Sequence, residues 1–525
     1  MTSNPRLATA TPGYALFVPG PGASAQREPA LLLDRLRPGR PLSGTVLLGL
    51  AGSVLVAVMA IGAGGILVTD PLITGTSLSW IRYGHGHDLA TAALYLGVGM
   101  IVWAWVRLGR DVLAGATTAH QVTVAGAAWA APILLAPPLF TRDVYSYLAQ
   151  GALALRGLDP YQVGPSKLPS GIIADNVHYV WQTTPAPYGP LFIFIAKTMN
   201  WLAGDNLILG VIGMRLVLLT GFALLIYTLP RLAERLGGDG TLTLWLVITN
   251  PLTIVHLVGG PHNDLLMIGL LATGALLVLE RRHHTGIALG TMAMAIKASA
   301  GVALPFLVWI WATRLPGSRS AQLLRAGVGS IAAFGAVFTG LTLLSGVGLG
   351  WVPALDAPSL IVNWMSLPTA AGELLHALVS SFAQVSDQPF VTVCRVLGSG
   401  VFVALFAWQW WQAREGGPPA VRRAALMLLW AALLAPATLP WYFSWALVLG
   451  AVLPWPRRTV AWIVAGSTWL VVCTYPTGEA AFGAWLYQLG MVVVSLVAAT
   501  AVLRRDPLGL RRRPPLTAPT PAALR

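Results

Sequence analysis

Charge is scarce in this chain. Asp, Glu, Lys and Arg make up 10% of its 525 residues, whereas a soluble domain carries roughly 25% because its surface must be wetted. That scarcity excludes an ordinary water-covered globular domain. Cysteine is nearly absent as well. Cys394 and Cys473 both fall inside apolar runs, with no metal or redox spacing, so they read as small apolar helix residues rather than a disulfide framework or a zinc module. The first 40 residues contain no apolar core of the kind a cleavable signal peptide needs, and the first span is expected to serve as the targeting signal. Period-two alternation is also missing, which argues against a β-barrel, the other structure that can cross a bilayer.

What is present is hydrocarbon. Hydrophobic residues supply 56% of the positions, and the mean hydropathy of +0.69 calls for a lipid environment. A helix needs roughly 20 apolar residues to cross the bilayer core, and such runs recur from Leu42 to Leu503. They predict an all-α, polytopic membrane protein with about 14 transmembrane helices. The expected spans lie near 44–68, 88–106, 120–138, 205–229, 241–258, 264–280, 285–297, 299–313, 322–346, 390–412, 421–438, 442–455, 459–475 and 482–503. The pair at 285–313 reads as two half-length helices meeting at Lys297, and whether it makes two full crossings stays open. Residues 190–202 are short for a span and contain Lys197, so an interfacial helix is expected there. The predicted organisation is a disordered cytoplasmic tail (1–43), a membrane domain (44–503) with outer loops at 140–204 and 348–388, and a basic cytoplasmic tail (504–525).

The net charge of +14 invites a nucleic-acid reading, but its distribution speaks for topology. With the amino terminus cytoplasmic, 25 of the 33 Lys and Arg residues fall on the cytoplasmic side, the bias that orients membrane proteins. The exceptions are Arg82, Arg142, Arg156, Lys167, Lys197, Arg215, Lys297 and Arg395. Both termini are therefore expected in the cytoplasm of a plasma-membrane protein whose site faces outward, with no nucleic-acid partner.

The long loop after the third span begins Thr141-Arg142-Asp143-Val144-Tyr145-Ser146-Tyr147 and continues through Gln150 and Asp159-Pro160-Tyr161 to Tyr188-Gly189-Pro190. If 143–156 is helical, Asp143, Tyr147 and Gln150 share one side. A carboxylate there can take a proton from a sugar hydroxyl while aromatic rings pack on pyranose faces, or it can cap the helix. Asp159 reads best as a turn residue. Lys297 can meet a phosphate or snorkel to water. The cluster His262-Asn263-Asp264 can bind sugar or phosphate, or cap the next span. His85 and His87 beside Asp88 invite a metal, with Asp88 as a cap the stronger reading. Ligand spacing supports no divalent cation at either place. Trp441 and Tyr442 can anchor at the interface or stack on an acceptor.

These motifs resemble those of the actinobacterial α-(1→6)-mannopyranosyltransferases of the GT-C class. The resemblance rests on Trp80-Ile81-Arg82-Tyr83-Gly84-His85-Gly86, Thr141 to Gly151, Gly157-Leu158-Asp159-Pro160-Tyr161, Ala186-Pro187-Tyr188-Gly189-Pro190, Asn250-Pro251-Leu252, Gly259 to Asp264, Ala295-Ile296-Lys297-Ala298 and Leu439 to Trp445. It implies inverting transfer of mannose from a polyprenyl-phosphate mannose donor to the 6-hydroxyl of a lipid-anchored α-(1→6)-mannan, within lipomannan and lipoarabinomannan assembly. The branch that elongates this backbone fits better than the branch that starts it. By resemblance Asp143 is the catalytic base, and Lys297, Arg142, Arg215 and Arg395 are candidates for the donor phosphate. Tyr145, Tyr147, Gln150, Asp159, Tyr161, Tyr188, His262, Asn263, Asp264, Trp441 and Tyr442 are candidates for the sugars. No cofactor is implied with certainty. A transporter or flippase of polyprenyl-linked sugar is the alternative from another class, weakened by the lack of an evident repeat of halves.

Overall fold

Apolar runs become helices here because a backbone away from water must satisfy its own N–H and C=O groups. Prolines, glycines and polar side chains decide where those helices stop. The computed structural model describes residues 44–65, 67–478 and 484–504, and their regular elements are all helical. The expected tails therefore lie outside the described residues, apart from Arg504.

Helix α1 (Gly44–Ala63) packs along α2 (Gly84–Leu113), with α3 (Ala119–Ile133) beside them. The loop region supplies α4 (Asp143–Leu155) and α5 (Pro190–Ala203), followed by the long α6 (Leu207–Leu236). Next, α7 (Gly240–Val247) breaks at Asn250-Pro251 and resumes as a π-helix, Leu252–Gly259, bent by 53°. Then come α8 (Asp264–Leu279), α9 (His283–Met294), a 3-10 stretch at Ala298–Ala303, α10 (Leu304–Ala312) and α11 (Arg319–Ser345). The chain ends with α12 (Leu367–Ser380), α13 (Gln388–Gln412), α14 (Gly417–Leu434), α15 (Phe443–Gly450), α16 (Arg457–Val472) and α17 (Trp485–Leu503).

Among the described residues six helices, α1, α2, α6, α11, α13 and α17, are long and apolar enough to cross a membrane, and the bent pair makes a seventh if it counts as one span. The other expected crossings fall on shorter pieces. Helix α9 has 12 residues, about 18 Å at 1.5 Å per residue, against a core of roughly 30 Å. As the sequence suggests, α9 and the 298–312 segment meet at Lys297, whose backbone is extended (φ −145°, ψ 124°). Only 11% of the most apolar window of α11 is buried inside the protein, so its outward surface is suited to lipid.

Polar locks fix the helices around this break-rich centre. The indoles of Trp105 on α2 and Trp245 on α7 stack, and each donates to the other's backbone carbonyl, at 3.0 and 2.9 Å. Trp129 on α3 donates to Val46 of α1. Glycine brings α6 and α8 together, because a Cβ on Gly221 or Gly269 would collide with the opposing backbone. Both cysteines are buried and free.

Candidate active site

The site grows from the end of α3. Phe140 adopts a positive φ of 57°, a conformation costly for a bulky residue, and turns the chain into Thr141. The Thr141 hydroxyl accepts from the backbone N–H of Asp143 at 3.1 Å. Asp143 is the first residue of α4, and the Arg142 that precedes it makes no side-chain cap bond, so the Thr141 hydroxyl is what meets the first N–H of the helix. The Asp143 side chain is 17% exposed. Burial pushes the carboxyl up to about 6, against the opposing pull of the Lys297 charge and a hydrogen bond from Trp181.

Three other turns meet it. His262, fully buried, brings Nδ1 to 3.6 Å from an Asp143 carboxylate oxygen, too long for a hydrogen bond. Burial and the neighbouring Lys297 charge push its imidazole well below the usual range. His262 also stacks on Trp441, ring centres 3.6 Å apart. Asp264 is buried, and both its oxygens receive the Lys297 ammonium, at 2.9 and 2.8 Å. The Trp445 indole donates to one of the same oxygens. Lys297 lies 4.6 Å from the centre of the Tyr442 ring, and Tyr442 stacks on Trp445. Neither Asp264 as a helix cap nor Lys297 as a snorkelling residue describes what is seen. Trp441 and Tyr442 are buried, so they pack within the site rather than anchor in an interface.

On the α4 side, Tyr147, Tyr188 and Phe192 form an edge-to-face aromatic cluster. Burial and the Asp143 carboxylate hold the Tyr188 hydroxyl well above its usual range. Gln150 follows on the same helix side, with its amide oxygen buried and without a partner among the described residues. Both ring nitrogens of His262 and both amide atoms of Asn263 are likewise buried without hydrogen bonds there. Buried polar atoms are nearly always paired, so this set of unpartnered groups on the segments that carry Asp143 and His262 suits a polar ligand.

Other candidates are placed elsewhere. Arg215 is 2% exposed and donates to the carbonyls of Leu134, Ala136 and Gly259, tying α6 to the turn after α3 and to the π-helix. Arg395 donates to the Thr369 hydroxyl and to the carbonyls of Ser359 and Ile361, which braces the 348–388 loop. Arg142 turns its guanidinium to the carbonyl of Asn176 at 2.8 Å. Tyr145 is buried and lines a small cavity of about 60 Å³ with Arg215. Asp159 accepts from the Tyr161 backbone and the Gln162 amide, as a turn residue does. Tyr161 is buried against Trp351 and Gly350. Asp88 lies inside α2 with an exposed side chain, and His87 turns to the Gly62 carbonyl. Among the described residues no three His, Cys, Asp or Glu side chains group as a metal site.

Three contributors escape sequence reasoning. Trp445 holds Asp264, Trp181 lies near enough to Asp143 to oppose the rise of its carboxyl, and Asn176, buried, binds the backbone at Val68, Thr69 and Ile172 while accepting Arg142. The Trp441-to-Trp445 spacing of one helical turn was the available signal for the first. Nothing local marks the other two.

Comparison with known proteins gives the same neighbourhood. Residues 46–313 match the family described as alpha-(1->6)-mannopyranosyltransferase, N-terminal domain, and residues 368–504 match the MptB C-terminal domain. The chain is 41% identical to alpha-(1->6)-mannopyranosyltransferase A of Mycobacterium tuberculosis over 89% of its length and 91% of that protein. It is 28% identical to the Corynebacterium glutamicum protein of the same name, over 83% of this chain and 92% of the relative. It is also 28% identical to alpha-(1->6)-mannopyranosyltransferase B of that organism, over 95% and 89%. No solved structure matches.

Proposed function

The chain belongs to the α-(1→6)-mannopyranosyltransferase family, and from that premise we propose that it transfers mannose from polyprenyl-phosphate mannose to the 6-hydroxyl of an α-(1→6)-mannan on a lipid anchor. The observation that carries the reading is the partly exposed Asp143 carboxylate, with buried His262 Nδ1 3.6 Å away and the Tyr147–Tyr188 ring pair close by; its burial also raises the carboxyl to about 6. A general base works best with a pKa near the operating pH.

In this proposal Asp143 takes the proton of the acceptor 6-hydroxyl as its oxygen attacks the anomeric carbon. The bond from that carbon to the phosphate oxygen breaks, its electron pair leaves with polyprenyl phosphate, and the configuration inverts to give the α linkage. Lys297, oriented by Asp264, meets the departing phosphate, and charge-assisted contacts of this kind are strong. Tyr147, Tyr188, Gln150, His262, Asn263 and Trp441 hold the sugars. The Asp143 cluster faces the outer side of the plasma membrane in this proposal, and elongation of the mannan fits the resemblance better than its initiation.

The test is reconstitution of the purified protein with polyprenyl-phosphate mannose or GDP-mannose as donor and a short α-(1→6)-mannoside as acceptor. The proposal expects extension only with the lipid-linked donor and an α-(1→6) product by NMR. No transfer from an intact donor to an acceptor that a positive-control enzyme extends would turn the reading toward transport.

A further inference from the structure

At the far end of α1 lies a recess of about 820 Å³, outside the site described above. Thr45 at the start of α1 lines it, whereas Gly65, just past the end of that helix, bonds to Pro138 beside the Asp143 turn. Twenty residues of α1 separate the two, about 30 Å of helix. The recess and the Asp143 cluster therefore sit a membrane core apart.

Four arginines, Arg107, Arg110, Arg457 and Arg504, line this recess with a single carboxylate, Asp111. They come from the end of α2, the start of α16 and the residue after α17. Two are held in place by backbone contacts. Arg110 donates from Nε to the Ala501 carbonyl and lies 5.1 Å from the centre of the Trp103 ring. Arg457 donates to the Leu113 carbonyl at 3.3 Å. Among the described residues, neither Arg107 nor Arg457 pairs with a carboxylate. Beyond Thr45 the remaining wall is apolar: Trp103, Leu113, Val502 and Leu503 border the same space, and Trp103 and Leu503 are exposed on the protein surface.

We propose that this recess binds the headgroup of an anionic phospholipid, with the phosphate among the arginines and the acyl chains leaving along Trp103 and Leu503. The volume falls in the range of small-ligand sites, and basic pockets between spanning helices at a membrane edge suit acidic headgroups. A soluble anion accounts for the arginines alone. The apolar wall that continues from them onto the lipid-facing surface calls for an amphipathic ligand.

The experiment is native mass spectrometry of the full-length protein in a neutral detergent, with phosphatidylglycerol, phosphatidylcholine or inorganic phosphate added. Wild type is expected to retain at least one phosphatidylglycerol under activation that strips phosphatidylcholine. The Arg107→Gln/Arg457→Gln variant should lose that retention about tenfold while keeping its melting temperature, and Arg107→Lys/Arg457→Lys should restore most of it. Equal retention of both phospholipids, or retention untouched in the glutamine variant, would overturn the proposal. Displacement of phosphatidylglycerol by millimolar inorganic phosphate would reduce the recess to a plain anion site and overturn the lipid assignment.

Discussion

Lys297 donates to both carboxylate oxygens of Asp264, at 2.9 and 2.8 Å, from the extended break between α9 and α10. Asp264 is fully buried, and Lys297 is partly buried, its side chain 14% exposed. The pair thus cancels two charges near Asp143, which is itself left without a cation bonded to it among the described residues. In the proposed mechanism this division separates the base from a positioned cation.

Breaking the pair on one side strands a buried charge, which costs about 3–5 kcal/mol. Lys297→Met and Asp264→Asn should each lower the melting temperature markedly in detergent. The double variant Lys297→Met/Asp264→Leu should recover much of that stability without recovering transfer. Recovery of transfer in the double variant would remove Lys297 from the chemistry.

The pH dependence follows from the same geometry. A base must be deprotonated to act, so with a carboxyl raised to about 6 the rate should fall as pH drops through that value. Lys297 opposes the rise; without its charge the carboxyl moves higher, and the acid limb of any residual Lys297→Met activity should shift to higher pH. Initial rates of mannosyl transfer between pH 4.5 and 8 would show it. An acid limb unmoved by loss of Lys297 would place the titrating group elsewhere.

Arg215 should behave in the opposite way to Lys297. Its removal leaves the carbonyls of Leu134, Ala136 and Gly259 without their donor, at about 1–3 kcal/mol for each group left unsatisfied. Arg215→Met is expected to lose several degrees in melting temperature while the folded fraction keeps a donor KM close to native. A large rise in donor KM with unchanged melting would return Arg215 to the phosphate.

Asn176 joins the 67–70 segment to the loop that carries Trp181. Asn176→Ala removes those bonds and should expose the 67–76 stretch to limited proteolysis, with transfer reduced about tenfold or more. Proteolysis identical to wild type would contradict the role.

Some of this was legible in the sequence for reasons that are local. Asp143, Tyr147 and Gln150 fall on one helix side because α4 forms where its spacing says it should. The break at Lys297 was readable because neither flanking apolar run is long enough for a span. Gly189 was visible as part of a motif, and the structure supplies its reason: a Cβ there would strike the Ala295 backbone. The rest depends on tertiary meetings. Sequence could not show that Arg215 and Arg395 spend their donors on backbone carbonyls, since a charge inside a span looks alike whether it serves a ligand or a helix turn. The π-helix at Leu252–Gly259 was signalled only by Asn250-Pro251, which announces a break without its form. The partnership of Asp264 with Trp445 joins segments far apart in the chain and left no periodic trace.

The measurement that bears most directly on the central claim is the initial rate of mannosyl transfer by Asp143→Asn against wild type, with melting temperatures shown to match. General-base catalysis contributes roughly 10²–10⁴-fold. If Asp143 is the base, the variant loses at least about a hundredfold in rate with donor affinity retained. A well-folded Asp143→Asn protein that keeps more than about a tenth of the wild-type rate would contradict Asp143 as the base.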